Sequence, residues 1–165
     1  MEDAEDVEIA SWGTIMQDKI FDVRNMKEQD YWNIVRHYYQ NTELGLLDTV
    51  PQKQLVLLFC NDKFPNRDMI MTDRELEKLN SFPLTITIYR GVSSKEKLDF
   101  KEYGYGMSWT INKNTAKWFA SRFKDEHQVV LQMEIPTCDV LAYFDKEEEI
   151  VIDTTRCHGR NIKNI

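Results

Sequence analysis

The sequence predicts an α+β fold in which N-terminal helices are followed by a mostly antiparallel β-sheet with one inserted helix. Two patterns lead to this prediction. In the first half of the 165-residue chain, apolar residues recur at helical spacing. In the second half, short runs with β-branched residues at period two are separated by turn residues. We therefore expect residues 1–83 to be mainly helical and residues 84–165 to be mainly sheet.

The first predicted helix covers residues 26–40. Asn25 and Glu28 have the spacing of a capping box, in which two side chains satisfy backbone N–H groups at the start of a helix. The residues that follow at helical spacing are large and apolar or aromatic: Tyr31, Ile34, Val35, Tyr38 and Tyr39. This helix is therefore expected to bury one face.

Two further helices are predicted before the sheet. Thr72 and Glu75 repeat the capping-box spacing ahead of an apolar pair, so a helix is expected to begin there. Residues 51–60 contain an unbroken apolar run, and its periodicity does not distinguish a helix opened by Pro51 from a short buried strand. We favour the helix for this segment.

The second half contains five predicted strands. Threonine alternates with isoleucine in residues 84–89, which predicts a strand that ends at Arg90 and Gly91. The other strands are expected at residues 105–110, 128–135, 140–144 and 149–152. The inserted helix is expected to follow Asn112 as its N-cap. Its buried face would contain Ala116, Phe119, Ala120 and Phe123.

Length and composition favour one domain that covers residues 1–165. The chain is 42% hydrophobic, which is enough apolar material for a single core. The net charge of -7 comes from the N-terminal third, because residues 1–48 contain eleven acidic and four basic residues and the rest contains seventeen of each. The absence of a broad basic face lowers the expectation of a nucleic-acid partner without excluding it.

We expect a cytoplasmic protein that uses no metal and no membrane segment. The N-terminal residues are acidic where a secretory signal begins with basic residues, and no stretch approaches the roughly 20 apolar residues of a membrane span. The three cysteines lie far apart and form no CxxC pair. Cys157 and His158 are adjacent, but two ligand types alone do not define a metal site.

Three polar residues on three predicted strands have the chemistry that cleavage of NAD⁺ would need. Breaking the bond between nicotinamide and ribose develops positive charge on the sugar, and a carboxylate such as Glu149 stabilises that charge. A pyrophosphate is held best by the forked donors of an arginine, and Arg90 fits this need. The short hydroxyl of Ser108 can hold the carboxylate in position.

At these positions the chain resembles the mono-ADP-ribosyltransferases of the Arg-Ser-Glu type, a family that includes many bacterial toxins and phage proteins. The resembling segments are Tyr89-Arg90-Gly91, Gly106-Met107-Ser108-Trp109-Thr110, and Glu147-Glu148-Glu149 followed by Ile150-Val151-Ile152. Their order and spacing agree with the family over residues 84–153. The resemblance implies an ADP-ribosyltransferase-like fold, with helices on a split sheet. Trp109 departs from the family, which has a small residue there, so its indole either packs under the sheet or lines the nicotinamide pocket.

The resemblance implies a role for each matching residue. Arg90 would anchor the phosphates or ribose of NAD⁺, and Ser108 would hold the site together. Glu149 would be the catalytic glutamate, and Glu147 would orient the acceptor nucleophile. The neighbouring positions that are candidates for NAD⁺ binding are Gly91, Trp109 and Thr110.

Two aromatic residues outside these segments are candidates to stack on nicotinamide, because an aromatic face holds a planar cationic ring. They are Phe119 on the inserted helix and Tyr39 on the first helix. The aromatic residues of both helices also fit an ordinary core-facing stripe.

The acceptor has two candidate classes. Glu147 favours an arginine side chain of a protein, because a second carboxylate two residues before Glu149 suits a guanidinium. Alternatively, a basic and aromatic patch on the inserted helix favours nucleic acid. This patch consists of Lys113, Lys117, Trp118, Arg122 and Lys124, with Trp109 nearby.

Other readings of the sequence remain open. One is hydrolysis of NAD⁺ without transfer to an acceptor. Another is a non-catalytic interaction module whose acidic N-terminal third binds a basic partner or an antitoxin. By analogy with the family, a small acidic transferase suggests an intracellular toxin or a phage effector.

Overall fold

The computed structural model describes residues 25–41, 52–93, 106–122, 128–157 and 161–165, and its fold is α+β. This part of the chain contains four α-helices and one open six-stranded antiparallel sheet. The chain divides into two compact units, Met1–Ile70 and Met71–Ile165. Among the described residues, the helices α1 and α2 belong to the first unit and the sheet belongs to the second.

The first unit contains helix α1, Glu28–Asn41, helix α2, Gln52–Phe59, and a short 3-10 turn, Arg67–Ile70. Both helix predictions are confirmed, including the choice of helix over strand for the apolar run. The buried face of α1 contains Tyr31, Trp32, Val35, Tyr38 and Tyr39. Ile34 of the predicted stripe is half-buried, and Trp32 joins the core in addition.

Polar contacts join α1 to α2 and to the residues that follow α2. The carboxylate of Glu28, expected to form a capping box with Asn25, accepts hydrogen bonds from Asn66 N at 2.7 Å and Asn66 Nδ2 at 2.8 Å. Helix α1 begins at Glu28, so this residue stands at the first helical position and not at the third, where a capping box with Asn25 needs it. Nearby, the Tyr31 hydroxyl donates to the carbonyl of Leu58 at 2.8 Å, and burial raises the pKa of this tyrosine.

The second unit begins with helix α3, Asp73–Asn80, and contains one inserted helix, α4, Lys113–Arg122. Its strands are β1 Thr85–Ser93, β2 Ser108–Thr110, β3 Gln128–Pro136, β4 Val140–Phe144, β5 Glu149–Ile152 and β6 Lys163–Asn164. The strand order is β4-β5-β2-β1-β3-β6, and all neighbours are antiparallel. Five of these six strands were predicted. The sixth, β6, has two residues and is too short to show a periodic pattern.

Two predicted helix caps are confirmed in the second unit. At the start of α3, the Thr72 hydroxyl accepts from the backbone N of Glu75 at 3.3 Å, and the Glu75 carboxylate accepts from the backbone N of Thr72 at 2.8 Å. At the start of α4, Oδ1 of Asn112 accepts from the backbone N of Asn114 at 2.9 Å and of Thr115 at 3.3 Å. Local side-chain chemistry therefore sets where both helices begin.

Strand β1 is longer than predicted. It continues through Arg90 and Gly91 to Ser93, and it pairs with β3 along its whole length. Gly91 is needed because α4 crosses the strand there: a Cβ on this residue would collide with backbone atoms of Ala116 and Ala120. The glycine therefore marks a close approach of helix and strand, and the prediction that the strand ends there is wrong.

Several predicted positions lie outside the described residues. They include Pro51, at the start of the second predicted helix, Tyr105, at the start of the second predicted strand, and Phe123, at the end of the inserted helix.

The sheet consists of two halves that meet at a narrow junction. Strands β1 and β3 are paired at nine positions, whereas β1 and β2 share one register pair, Tyr89 with Thr110. The half formed by β4, β5 and β2 is thus joined to the half formed by β1, β3 and β6 at a single point. Residues next to that point, among them Arg90 and Ser108, lie where the pairing of the two strands ends.

Candidate active site

The side chain of Arg90 bridges the junction between the two halves of the sheet. Its Nη1 donates a hydrogen bond to the backbone oxygen of Ser108 at 2.6 Å. Gly106 leaves the space for this guanidinium, because a Cβ there would lie 2.6 Å from Cζ of Arg90. The guanidinium has several N–H donors in one plane, a geometry that suits phosphate oxygens.

Ser108 holds the carboxylate of Glu149. The Ser108 Oγ donates a hydrogen bond to Oε1 of Glu149 at 2.5 Å. The register between β2 and β5 pairs Thr110 with Glu149 and Ser108 with Val151, so Ser108 and Glu149 are diagonal neighbours on one face of the sheet. Ser108 is exposed and Glu149 is half-buried. The carboxylate is therefore fixed in direction at a site open to solvent.

Arg90, Ser108 and Glu149 thus form one hydrogen-bonded series across three neighbouring strands, β1, β2 and β5. Ser108 is central to this series because its carbonyl accepts from the arginine and its hydroxyl donates to the glutamate. A cation and an anion are held on either side of one short strand. Such an arrangement can bind a ligand that carries negative charge at one end and develops positive charge at the other.

A strained turn precedes Glu149. Residues 145–148, called the acidic turn below, connect β4 to β5. Within it, Glu147 has φ 64° and Glu148 has φ 49°, in the left-handed region that non-glycine residues rarely occupy. Two consecutive residues in this conformation persist only when their surroundings hold them there.

The end of the acidic turn is held by Thr110, the last residue of β2, and by the two residues that follow it. The Thr110 hydroxyl donates to the carbonyl of Glu147 at 2.8 Å, and the backbone N of Ile111 donates to the carbonyl of Glu148 at 3.2 Å. In addition, Nδ2 of Asn112 donates to the carboxylate of Glu148 at 2.7 Å. The same asparagine caps α4 through its Oδ1, so the start of this helix and the end of the turn are tied together.

Trp109, a candidate for NAD⁺ binding, lies in the core. Only 2% of its surface is exposed, and its Nε1 donates to the carbonyl of Gly106 at 2.8 Å. Of the two positions that the sequence allowed for the indole, this is the one packed under the sheet. By holding Gly106, the indole supports the residue that makes room for the guanidinium of Arg90.

Thr110 and Gly91 have structural partners. Thr110 is 5% exposed, and its hydroxyl is engaged with the acidic turn. Gly91 lies beneath α4, two residues after the junction pair of β1. Contact of either residue with NAD⁺ stays a prediction.

The two candidate stacking residues lie in different units. Phe119 is half-buried on α4, with the guanidinium of Arg122 at 5.7 Å from its ring centroid. Tyr39 is 8% exposed in the first unit and contacts the ring of Phe59 edge-on at 5.3 Å. Its burial agrees with the core-stripe interpretation, and stacking on nicotinamide stays a prediction for both residues.

Sequence reasoning missed three residues that shape this site. Gly106 belongs to one of the segments that resemble the family, but nothing in the sequence indicates that it faces a guanidinium. Asn112 was expected only as a helix cap, and its second contact depends on a turn 36 residues away. Glu75 was expected only in a capping box, yet its carboxylate also accepts a hydrogen bond from the acidic turn, at Asp145 N.

The described residues contain no group of three or more histidine, cysteine or acidic side chains that could hold a metal ion. Among the helices in the described part of the chain, none is long and apolar enough to cross a membrane. Comparisons of the chain with models of known protein families, with curated proteins and with solved structures give no match.

Proposed function

We propose that this protein cleaves NAD⁺ and transfers ADP-ribose to a macromolecular acceptor, on a fold of the ADP-ribosyltransferase type. The observation that carries the proposal is the hydrogen-bonded series of Arg90, Ser108 and Glu149. The narrow junction between the two halves of the sheet supports the split sheet that the resemblance implies. Both features involve the residues that the sequence resemblance singles out.

In the proposed reaction, Glu149 stabilises the sugar as the bond from ribose to nicotinamide breaks. The bonding electrons leave with the nicotinamide nitrogen, so positive charge develops on the ribose carbon and ring oxygen. A carboxylate held against that charge lowers the barrier, as in glycoside hydrolysis. Ser108 keeps the carboxylate in one direction, so little reorganisation is needed when the charge appears.

Arg90 supplies the opposite charge in this proposal. A guanidinium fixed to the carbonyl of Ser108 can bind the pyrophosphate through charge-assisted hydrogen bonds. It would hold the dinucleotide while nicotinamide departs. Because Arg90 and Glu149 are tied to the same serine, the distance between the two charged groups is set by one residue.

The favoured acceptor is an arginine side chain of a protein. Glu147 lies in the acidic turn directly before β5, so a carboxylate is held close to Glu149 along the chain. It would bind the incoming guanidinium and accept the proton that its nitrogen loses when the bond to ribose forms. The transfer then exchanges one carbon–nitrogen bond for another.

The proposal is tested by incubating the protein with NAD⁺ labelled in the adenylate part, with and without a lysate. Release of nicotinamide reports cleavage, and label on macromolecules reports transfer. Glu149→Gln removes the charge while keeping the shape, and it should lower cleavage by about a hundredfold or more. Glu134→Gln, at an exposed position of β3, is the matched control and should act like the wild type.

Two results would overturn the proposal. Cleavage that survives Glu149→Gln would refute the catalytic assignment. Absence of both cleavage and a thermal shift with NAD⁺ would favour the interaction module, because a ligand at about 100 times its dissociation constant should stabilise the fold by about 2.7 kcal/mol.

A second candidate acceptor is single-stranded nucleic acid, and the exposed face of α4 favours it. This face, called the basic helix face below, contains Lys113, Lys117, Trp118 and Arg122. Helix α4 contains no acidic residue. Trp118 is 56% exposed, and the guanidinium of Arg122 lies 5.1 Å from its ring centroid. Exposed aromatic rings beside cations are what single strands bind, through base stacking and phosphate contacts. Lys124 of the predicted patch lies outside the described residues.

The two acceptors are separated by treating the labelled products with protease or with nuclease. Label that only protease removes supports the protein acceptor, and label that only nuclease removes supports nucleic acid. Binding of a single-stranded oligonucleotide provides an independent measurement. If the basic helix face is used, Trp118→Ala should weaken that binding by about 5- to 150-fold, since stacking contributes about 1–3 kcal/mol per base.

A further inference from the structure

A buried glutamate from helix α3 holds the beginning of the acidic turn. Glu75 is 3% exposed, and its Oε1 accepts a hydrogen bond from the backbone N of Asp145 at 3.1 Å. Asp145 is the first residue of the turn that contains Glu147. The contact joins residues 70 positions apart in the chain, so it is a tertiary constraint on the turn and is separate from the turn's own local hydrogen bonds.

The second oxygen of the same carboxylate is committed to the helix cap. Oε2 of Glu75 accepts from the backbone N of Thr72 at 2.8 Å and from its Oγ1 at 2.9 Å. The carboxylate therefore accepts hydrogen bonds on both oxygens, with the cap on one side and the turn on the other. A glutamine has one acceptor oxygen and one donor group, so it cannot accept from both sides at once.

The ion pair at Asp145 is a weaker constraint on the turn than the hydrogen bond to Glu75. The carboxylate of Asp145 forms an ion pair with Arg74 at 3.2 Å, but the arginine side chain is 85% exposed. Exposed ion pairs contribute little because solvent screens them. Glu75 is thus the stronger of these two constraints at the start of the turn.

The carboxylates of Glu147 and Glu149 are held in different ways. Glu149 lies in β5, where pairing with Thr110 and the hydrogen bond from Ser108 fix its position. Glu147 lies inside the turn in a left-handed conformation, and its backbone carbonyl is bound by Thr110. Release of the turn at Asp145 is therefore expected to displace Glu147 more than Glu149.

We propose that Glu75 is a positioning residue that determines whether ADP-ribose is transferred to the acceptor or to water. This inference rests on the proposed function. In either outcome the bond from ribose to nicotinamide breaks and its electrons leave with nicotinamide. The new bond forms to a guanidinium nitrogen when Glu147 orients the acceptor, and to a water oxygen when it does not; each nucleophile loses one proton. Glu75 acts on this choice because it fixes the turn from which Glu147 projects.

The experiment compares transfer and hydrolysis in Glu75→Gln. The protein is incubated with NAD⁺ and an arginine-containing peptide, and both nicotinamide release and ADP-ribosylated peptide are measured. We expect nicotinamide release within about threefold of the wild type, and peptide labelling lower by about 10- to 100-fold, the effect of a small misplacement of a reacting group. An unchanged ratio of labelled peptide to released nicotinamide would overturn the proposal.

Three variants separate positioning from a general loss of stability. Thr72→Ala removes the hydroxyl contacts of the cap but leaves the bond from Asp145 to Glu75, so it should lower the melting temperature and keep the ratio. Asp145→Pro deletes the N–H donor at a residue whose φ is -58°, which proline accommodates. It should lower the ratio as Glu75→Gln does, and the double variant should lower it no further. Arg74→Ala controls for the loss of the ion pair and should keep the ratio.

Amide hydrogen exchange tests the contact without any activity. The Asp145 amide should be protected in the wild type and should exchange at least about tenfold faster in Glu75→Gln, as expected when a buried hydrogen bond is removed. Unchanged exchange would overturn the positioning role even if the protein is active. A wild-type protein that shows the protection but cleaves no NAD⁺ would overturn the proposed function, and with it the assignment of Glu75 to a transfer reaction.

Discussion

Replacing Gly106 by alanine is expected to displace the guanidinium of Arg90 and to change little else. The added Cβ would lie 2.6 Å from Cζ and Nη2 of Arg90 and 2.8 Å from Nη1. These atoms are at the far end of a flexible side chain, so rotation of the arginine relieves the clash without a change in the backbone. The hydrogen bond from Nη1 to the carbonyl of Ser108 is then lost.

The size of the effect follows from that hydrogen bond. A hydrogen bond to a charged group contributes about 1.5–3 kcal/mol, which corresponds to about 10- to 150-fold in a rate or binding constant. We expect kcat/KM for NAD⁺ cleavage to fall by this factor, because the arginine no longer lies beside Ser108. Arg90 is half-buried and regains water when it moves, so the free energy of unfolding should fall by about 1.5 kcal/mol or less.

Nicotinamide release measures kcat/KM for NAD⁺ cleavage, and denaturant unfolding measures the free energy of unfolding. Gly91→Ala provides the contrast, because its Cβ would meet backbone atoms of Ala116 and Ala120 that cannot rotate away. That variant is expected to unfold or to be strongly destabilised. The two glycines are only 15 positions apart, yet one substitution should affect chemistry and the other folding.

A Gly106→Ala protein that cleaves NAD⁺ at the wild-type rate would refute the role assigned to the position of Arg90. A Gly106→Ala protein that does not fold would show that the guanidinium cannot move away from the added methyl group. Either result would remove the physical basis for the cation in the proposed site.

Three further outcomes are expected. Ser108→Ala removes the donor to Glu149 at an exposed position, so NAD⁺ cleavage should fall by about tenfold or more while the melting temperature changes little; an unchanged rate would contradict the role of the hydroxyl. Glu147→Gly removes the backbone strain of a non-glycine residue in the left-handed conformation, so the free energy of unfolding should stay constant or rise by up to about 1 kcal/mol. Labelling of an arginine peptide should fall, because the carboxylate is lost. Burial, together with nearby acids, raises the pKa of Tyr143. Because the folded state then disfavours the tyrosinate, the stability it contributes is present below about pH 10 and is lost as the pH rises above that value. Tyr143→Phe should reduce this loss when denaturant midpoints are compared at about pH 8 and about pH 11.

Local patterns allowed much of the fold to be predicted. The capping box of Thr72 and Glu75 and the N-cap Asn112 mark helix starts through contacts within three residues, and such contacts are visible in a sequence. Alternating β-branched residues identified β1, and the strands at residues 140–144 and 149–152 have the predicted bounds. The spacing of Arg90, Ser108 and Glu149 placed them on three strands, and the structure brings these three residues together.

The remaining features depend on contacts between distant segments. Gly91 resembles a strand end in the sequence, and only the crossing of α4 shows why the strand continues past it. The indole of Trp109 could face either side of the sheet until the pairing of β2 with β5 was known. Likewise, the second role of Glu75 depends on its contact with the acidic turn, which lies 70 positions later in the chain.

The shortness of β2 has a consequence for variation in this region. Each of its three residues has a separate task, since Ser108 holds the carboxylate, Trp109 fills the core and Thr110 binds the acidic turn. Inserting or deleting one residue within the strand would shift the residues that follow by one position and exchange their faces. The indole would then stand where the hydroxyl is needed. Changes of length are therefore expected to be excluded here, even where substitutions in the preceding segment are tolerated.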